Sequence, residues 1–222
     1  SMLAMRIIFI NEIADLCEKI GADVTDIAKG IGLDKRIGPH FLEPGPGFGG
    51  SCFPKDARAL IESGKKYDAP QTLLESVILG NENRKKNISK KILDKLDKQS
   101  ENQIGILGVT FKAETDDMRE SPSLVIIPDL QENGINISAY DPEGEKEASK
   151  ILKDVNWKKS AYEAAENVDC LVILTDWEEF KNLDLDKIKN SMKRPLIYDF
   201  RNIFDPDMMT ELGFEYFSIG RG

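Results

Sequence analysis

From residue 103 onward the chain alternates short, continuously apolar runs with amphipathic stretches, and no other feature constrains the fold so tightly. QIGILGV, INISAY, DCLVILT, PLIYDF and FEYFSI read as strands, with VNW as a short sixth. Helical patterns separate them: Ser121-Pro122 to about Asn133, residues 145–153, AYEAAENV, LDKIKNSM and DPDMMTEL. A strand apolar on both faces must be covered on both, and intervening helices return the chain so that successive strands run parallel. The pattern predicts an α/β domain with a doubly wound parallel sheet.

Residues 1–98 have a different texture. Leu3, Ile7, Ile10, Ile13, Ala14, Cys17 and Ile20 repeat at helical spacing, and Gly21 ends the run. Asp23 or Thr25 suits the cap of a second short helix. Residues 33–53 hold five glycines between 38 and 50 and three prolines, so they form a loop. Pro54 opens the helix PKDARALIESG. The longest helical pattern runs from Pro70 to Lys98, and Asn81-Glu82-Asn83-Arg84-Lys85-Lys86 breaks its apolar stripe. A helix of that length bridges domains or packs on a partner chain. The expected division is therefore a helical region, 1–98, and an α/β domain, 99–222.

Charge follows the same division. Residues 1–90 carry 13 Lys+Arg against 12 Asp+Glu, and residues 91–222 carry 17 against 27. An acidic chain without a basic block is a poor partner for nucleic acid or an anionic membrane. No apolar run approaches the ~18–20 residues of a membrane span. Three cysteines without a CxxC pair, and a single histidine, His40, disfavour a disulfide framework or a zinc site and fit a reducing cytoplasm. The chain starts inside a helical pattern, which suggests a piece of something longer.

Chemistry concentrates in Gly45-Pro46-Gly47-Phe48-Gly49-Gly50-Ser51-Cys52-Phe53-Pro54-Lys55-Asp56. Glycines let the backbone approach a ligand and present N–H groups to phosphate or sugar. Cys52 lies at a helix N-terminus, where partial positive charge favours a thiolate, with Lys55 near in sequence. Asp56, one turn in, can take or position a proton. An activated cysteine nucleophile is assembled this way, and a structural loop with an inert thiol is the competing reading. Cys17 and Cys170 lie on apolar faces and read as core residues.

A second segment, Gly105 to Lys112, ends the first strand with only part of a dinucleotide-binding glycine pattern. Lys112 and Arg119 place positive charge beside the following helix, which Ser121 is expected to cap. Asp141 ends the second strand, either to hold a ribose or to cap a helix. Arg201 follows PLIYDF on the carboxyl edge and reads as the loneliest cation near that site.

GFGGSCFPKD, with GLDKRIG before it and GVTFKAETDDMRES after it, resembles the UDP-glucose 6-dehydrogenases within the UDP-sugar and GDP-mannose dehydrogenase group. The resemblance runs over residues 3–222. It implies a central helical dimerisation region followed by a Rossmann-like UDP-binding domain, with the family's NAD-binding domain and its lysine–asparagine pair absent and turnover not expected. It implies NAD as cofactor, UDP-glucose as substrate, and a homodimer through the helix 70–98. Cys52 would be the nucleophile and Asp56 the acid that handles a proton or water. Phe41, Leu42, Gly45, Phe48, Gly49, Gly50 and Ser51 would line the sugar nucleotide. Arg36 would reach the partner's substrate. Phe111 and Lys112 would meet uracil or phosphates, and Arg201 the ribose or phosphates. Lys55 and Arg119 would contact NAD. Ser51 and Lys55 favour UDP-glucose over the relatives that act on UDP-N-acetyl amino sugars, and a relative acting on UDP-hexosamine, UDP-galactose or GDP-mannose is the competing enzyme reading. A non-catalytic nucleotide-binding dimerisation module, or NAD in the C-terminal domain itself, are the alternatives.

Overall fold

A computed structural model describes residues 1–96 and 101–221. Four helices come first: α1 (Met2–Ile20), α2 (Val24–Gly32), α3 (Phe53–Lys66) and α4 (Thr72–Leu93). Asp23 caps α2, its carboxylate accepting the Thr25 N–H. The expected long helix is shorter than 70–98: it starts at Thr72 and its regular part closes at Leu93. Residues 97 and 98, and with them the division placed at 98/99, lie outside the described residues.

The remainder alternates as β1 (Gln103–Leu107), α5 (Ser123–Glu132), β2 (Asn136–Tyr140), α6 (Glu145–Ile151), β3 (Val155–Trp157) and α7 (Ala161–Ala164). It continues with β4 (Cys170–Ile173), α8 (Glu178–Lys181), α9 (Leu185–Ser191), β5 (Leu196–Asp199), α10 (Pro206–Glu211) and β6 (Glu215–Ser218). The short helix α8 was not legible in the pattern, and AYEAAENV is helical only over its first four residues. The six strands form one all-parallel sheet in the order β3-β2-β1-β4-β5-β6. That order makes the α/β part a Rossmann-like, doubly wound domain, with its reversal between β1 and β4.

Strand alternation sorts the core. Ile104 and Ile106 of β1, Ile137 and Ala139 of β2, and Cys170 and Val172 of β4 face one side with Ile126, Ile127 and Leu130 of α5. Ile10, Ala14 and Cys17 of α1 and Ile88 and Ile92 of α4 join the same cluster, so the N-terminal helices close directly onto that layer. Leu107, Leu171, Ile173 and Ile197 face the other side with Phe180, Ile188 and Met209. Each Val, Leu, Ile, Phe or Met among them, fully buried, contributes roughly 1.5–3 kcal/mol. A third cluster, with Ala4, Ile8, Phe48, Ala57, Ile61, Leu74 and Val77, packs α1, α3 and α4 around the glycine loop. As expected, Cys17 and Cys170 are wholly buried, and burial pushes both thiols up. No helix among the described residues is long and apolar enough to cross a membrane.

Candidate active site

The glycine loop reaches the carboxyl edge of the sheet. Ile7, Phe41, Glu43, Pro44, Gly45, Gly47, Phe48, Gly49 and Phe53 form one wall of a cleft of about 310 Å³. Phe111, Lys112, Asp176 and Arg201 form the other. Seven residues singled out from sequence therefore share one cavity: Phe41, Gly45, Phe48, Gly49, Phe111, Lys112 and Arg201. Its aromatic side is continuous, the Phe53 ring lying 6.0 Å from Phe41 and 6.1 Å from Phe48.

The loop docks against the β1–α5 connection with almost no clearance. The Gly50 N–H donates to the Arg119 carbonyl at 2.7 Å. A Cβ on Gly49 would stand 2.5 Å from the Glu120 carbonyl oxygen, and one on Gly50 2.9 Å from the Phe111 ring. Only glycine permits this approach. Arg58 of α3 binds Glu120 and holds its carboxyl below the usual range against the opposing effect of partial burial.

Cys52 occupies the N-cap of α3, one residue ahead of the position expected from Pro54, which is the second helical residue. Its thiol is exposed and lies 3.6 Å from the Ser51 hydroxyl. The Asp56 N–H donates to the Cys52 carbonyl at 2.9 Å, which sets Asp56 one turn in, with the Lys55 ammonium 4.0 Å from its carboxylate. Arg119 is gripped at both carboxylate oxygens of Asp117, which raises its pKa, and Cys52 adds to that rise. The Lys112 ammonium sits 5.6 Å from the centre of the Phe111 ring.

Several expectations need correction. Arg201 is not a lone cation: Asp176 accepts from its Nε at 2.9 Å and from a terminal nitrogen. Ser121 does not cap α5. Pro122 holds that position, and the Ser121 hydroxyl donates to the Val109 carbonyl at 2.6 Å. Asp141 turns inward and does not cap α6, whose N-cap is Gly144. One carboxylate oxygen accepts the Val109 and Thr110 N–H groups and the Trp177 indole, the other the Glu143 and Gly144 N–H groups. The backbone donors just after β1 are thus occupied, where a dinucleotide pyrophosphate would need them. The lining expected at Leu42 is by its backbone, and its side chain is in the core, 3% exposed. Arg36, expected to serve a partner's substrate and not this cleft, is exposed and bound to Asp34.

Sequence reading missed the residues that hold the loop from behind, Asn11, Asn81 and Arg84, and the partners Asp176, Arg58 and Glu120. The polar break in the α4 stripe was the available signal for Asn81 and Arg84. Among the described residues no cluster of three His, Cys, Asp or Glu could hold a metal.

Fold and cleft together define a Rossmann-like α/β domain with a helical region that closes a cleft over the carboxyl edge of its sheet. Residues 1–83 match the UDP-glucose/GDP-mannose dehydrogenase family, central domain, and residues 105–206 match the same family's UDP binding domain. The chain belongs to that family. It is 48% identical over 222 residues to UDP-glucose 6-dehydrogenase of Rhizobium meliloti (strain 1021), covering 100% of this chain and 51% of that protein. A solved UDP-glucose dehydrogenase from Pyrobaculum islandicum superposes with a TM-score of 0.85 at 30% identity, over 97% of this chain and 47% of the other. UDP-D-ManNAc dehydrogenase from Pyrococcus horikoshii superposes with 0.83, also at 30% identity, over 99% and 49%. The chain spans about half the length of the relatives it matches.

Proposed function

We propose that this chain supplies the dimerising and UDP-sugar-binding parts of an NAD-dependent UDP-glucose 6-dehydrogenase. The observation that carries the reading is the cleft in which the glycine loop leading to Cys52 faces Phe111, Lys112 and Arg201, with Cys52 just outside its lining. The two cations suit a diphosphate, and the aromatic rings suit a base or a sugar face. The two superposed proteins are named for different sugars, so the choice of UDP-glucose rests on Ser51, Lys55 and the 48% identity.

In this reading the C6 alcohol of the sugar is oxidised to an aldehyde, and the Cys52 sulfur adds to the aldehyde carbon as a thiohemiacetal. Loss of a second hydride gives a thioester on Cys52, and water releases UDP-glucuronate and the free thiol. Asp56 handles the proton of that water. No side chain carries a hydride, and NAD, when bound, supplies the acceptor. The exposed Lys55, three residues after Cys52, and the exposed Arg119, which feels the charge of Cys52, would hold NAD, two cations being suited to a pyrophosphate. Arg36, outside the cleft, would serve the substrate of a second copy. A homodimer is part of the proposal, with Leu73 and Leu79 left exposed on α4.

Calorimetric titration with UDP-glucose, UDP-N-acetylmannosamine, GDP-mannose and NAD tests this. Saturable binding of UDP-glucose in preference to the other sugars is expected. NAD binding with no response to any nucleotide sugar would sink the reading.

A further inference from the structure

The cleft-facing loop is held by side chains that do not themselves line the cleft. The Gly45 N–H donates to Asn11 Oδ1 at 2.8 Å, and the Gly45 carbonyl accepts from Arg84 Nε at 3.0 Å. At Phe48 a single side chain does both tasks. The Phe48 N–H donates to Asn81 Oδ1 at 2.8 Å, and the Phe48 carbonyl accepts from Asn81 Nδ2 at 3.0 Å. A primary amide presents a neutral acceptor and a neutral donor side by side, so it pairs with a residue's N–H and C=O as a neighbouring strand would.

The fit behind the loop is close. Asn81 is 2% exposed and Lys85, one turn on, 1% exposed. A Cβ on Gly47 would lie 3.0 Å from Asn81 Oδ1 and 3.3 Å from Lys85 Cγ, at a φ of 121° that side chains rarely adopt. Gly47 therefore rests directly on the surface that α4 presents. The polar break in the apolar stripe of α4 has a specific purpose here: it supplies the partners of a loop that has no strand beside it.

We propose that Asn81 is a positioning residue for the nucleotide-sugar site. It fixes both polar groups of Phe48 and thereby orients Gly47 to Cys52 toward the ligand and the sulfur toward the reacting carbon. The inference rests on the reading of the cleft as a UDP-sugar site. If Asn81 served only to stabilise the fold, its loss would lower the melting temperature and leave the affinity of the folded protein unchanged. If it positions the loop, affinity and the behaviour of Cys52 change while the protein is folded.

The test uses this chain and Asn81→Leu, close in size but without the two polar groups. Isothermal titration with UDP-glucose is run well below each melting temperature. Alkylation of Cys52 by N-ethylmaleimide is followed by peptide mass spectrometry, with and without UDP-glucose. Ile188→Ala, in the cluster on the opposite face of the sheet, is the control for lost stability alone. The expected result is a rise in Kd of at least about tenfold for Asn81→Leu, equivalent to about 1.4 kcal/mol. Loss of the protection of Cys52 by UDP-glucose should accompany it, and Ile188→Ala should retain the parent's Kd and protection.

An unchanged Kd and unchanged protection in folded Asn81→Leu would overturn the proposal. Should Asn81→Leu not fold, Gly47→Ala, which leaves α4 intact and pushes the loop off Asn81, must show the same losses, and parental binding there overturns it equally. Should the parent bind no UDP-glucose, the reading of the cleft fails separately. The ligand-free alkylation rate of Cys52 then decides: a change of threefold or more supports positioning by Asn81, and a smaller one overturns it.

Discussion

Arg58 of α3 and Glu120 of the β1–α5 connection form a two-point ion pair, Nη1 to Oε1 at 2.8 Å and Nη2 to Oε2 at 3.2 Å. The pair spans the line where the cysteine loop meets the α/β domain, one residue from the Gly50–Arg119 backbone bond. Glu120 has a carboxyl pKa lowered by Arg58, so its contribution is present above the unfolded value near 4.5 and is lost as pH falls through the lower folded value. Both side chains are partly exposed, and such pairs contribute only about 0.2–1 kcal/mol. Urea unfolding should show stability falling below about pH 4.5, with Glu120→Gln losing part of that slope. An identical slope in the variant would remove the pair from the account of the junction.

Asp141→Ala should cost about 3 kcal/mol or more in urea unfolding, because it strands several buried N–H donors at once. Asp141→Asn should cost less, since the amide keeps one acceptor. A mild effect of Asp141→Ala on stability, with a large loss of nucleotide binding, would return this residue to a ribose-binding role.

Arg201→Ala should weaken UDP-glucose binding by roughly tenfold to a hundredfold, the worth of one charge-assisted hydrogen bond to a phosphate or ribose. Asp176→Asn frees the guanidinium and tests whether the acid orients Arg201 or merely neutralises it. Weaker binding in that variant favours orientation, and tighter binding favours competition with the ligand.

Cys52→Ser should bind UDP-glucose within about threefold of the parent, because the sulfur is exposed and supports no packing. In the UDP-glucose 6-dehydrogenase proposed above, the same change should block formation of UDP-glucuronate. A tenfold loss of affinity in calorimetry would make Cys52 a binding residue and weaken its assignment as nucleophile.

Gly49→Ala should be among the more damaging single-methyl changes. Its Cβ would meet the Glu120 backbone at 2.5 Å, and no flexible side-chain end is there to yield. A lower melting temperature together with lost UDP-glucose binding is the expected result, read by calorimetry on the same samples.

Sequence alone determined the α/β domain, because the side-chain periods of strand and helix differ and each buried strand must be covered on both faces. QIGILGV and DCLVILT needed no partner to be read as inner strands, and they lie side by side as β1 and β4. It also marked the glycine loop, since five glycines in thirteen residues exclude a regular element, and it marked Cys52 at the start of α3. Tertiary structure alone decided what those segments meet. That Arg201 belongs to Asp176, that Asp141 turns inward, and that Asn81 holds Phe48 across 33 residues are long-range pairings. Local periodicity carries no record of them. A hydrogen bond between distant residues is fixed by how helices and sheet pack, and the polar side chains that make it look, in one dimension, like solvated residues or breaks in a stripe.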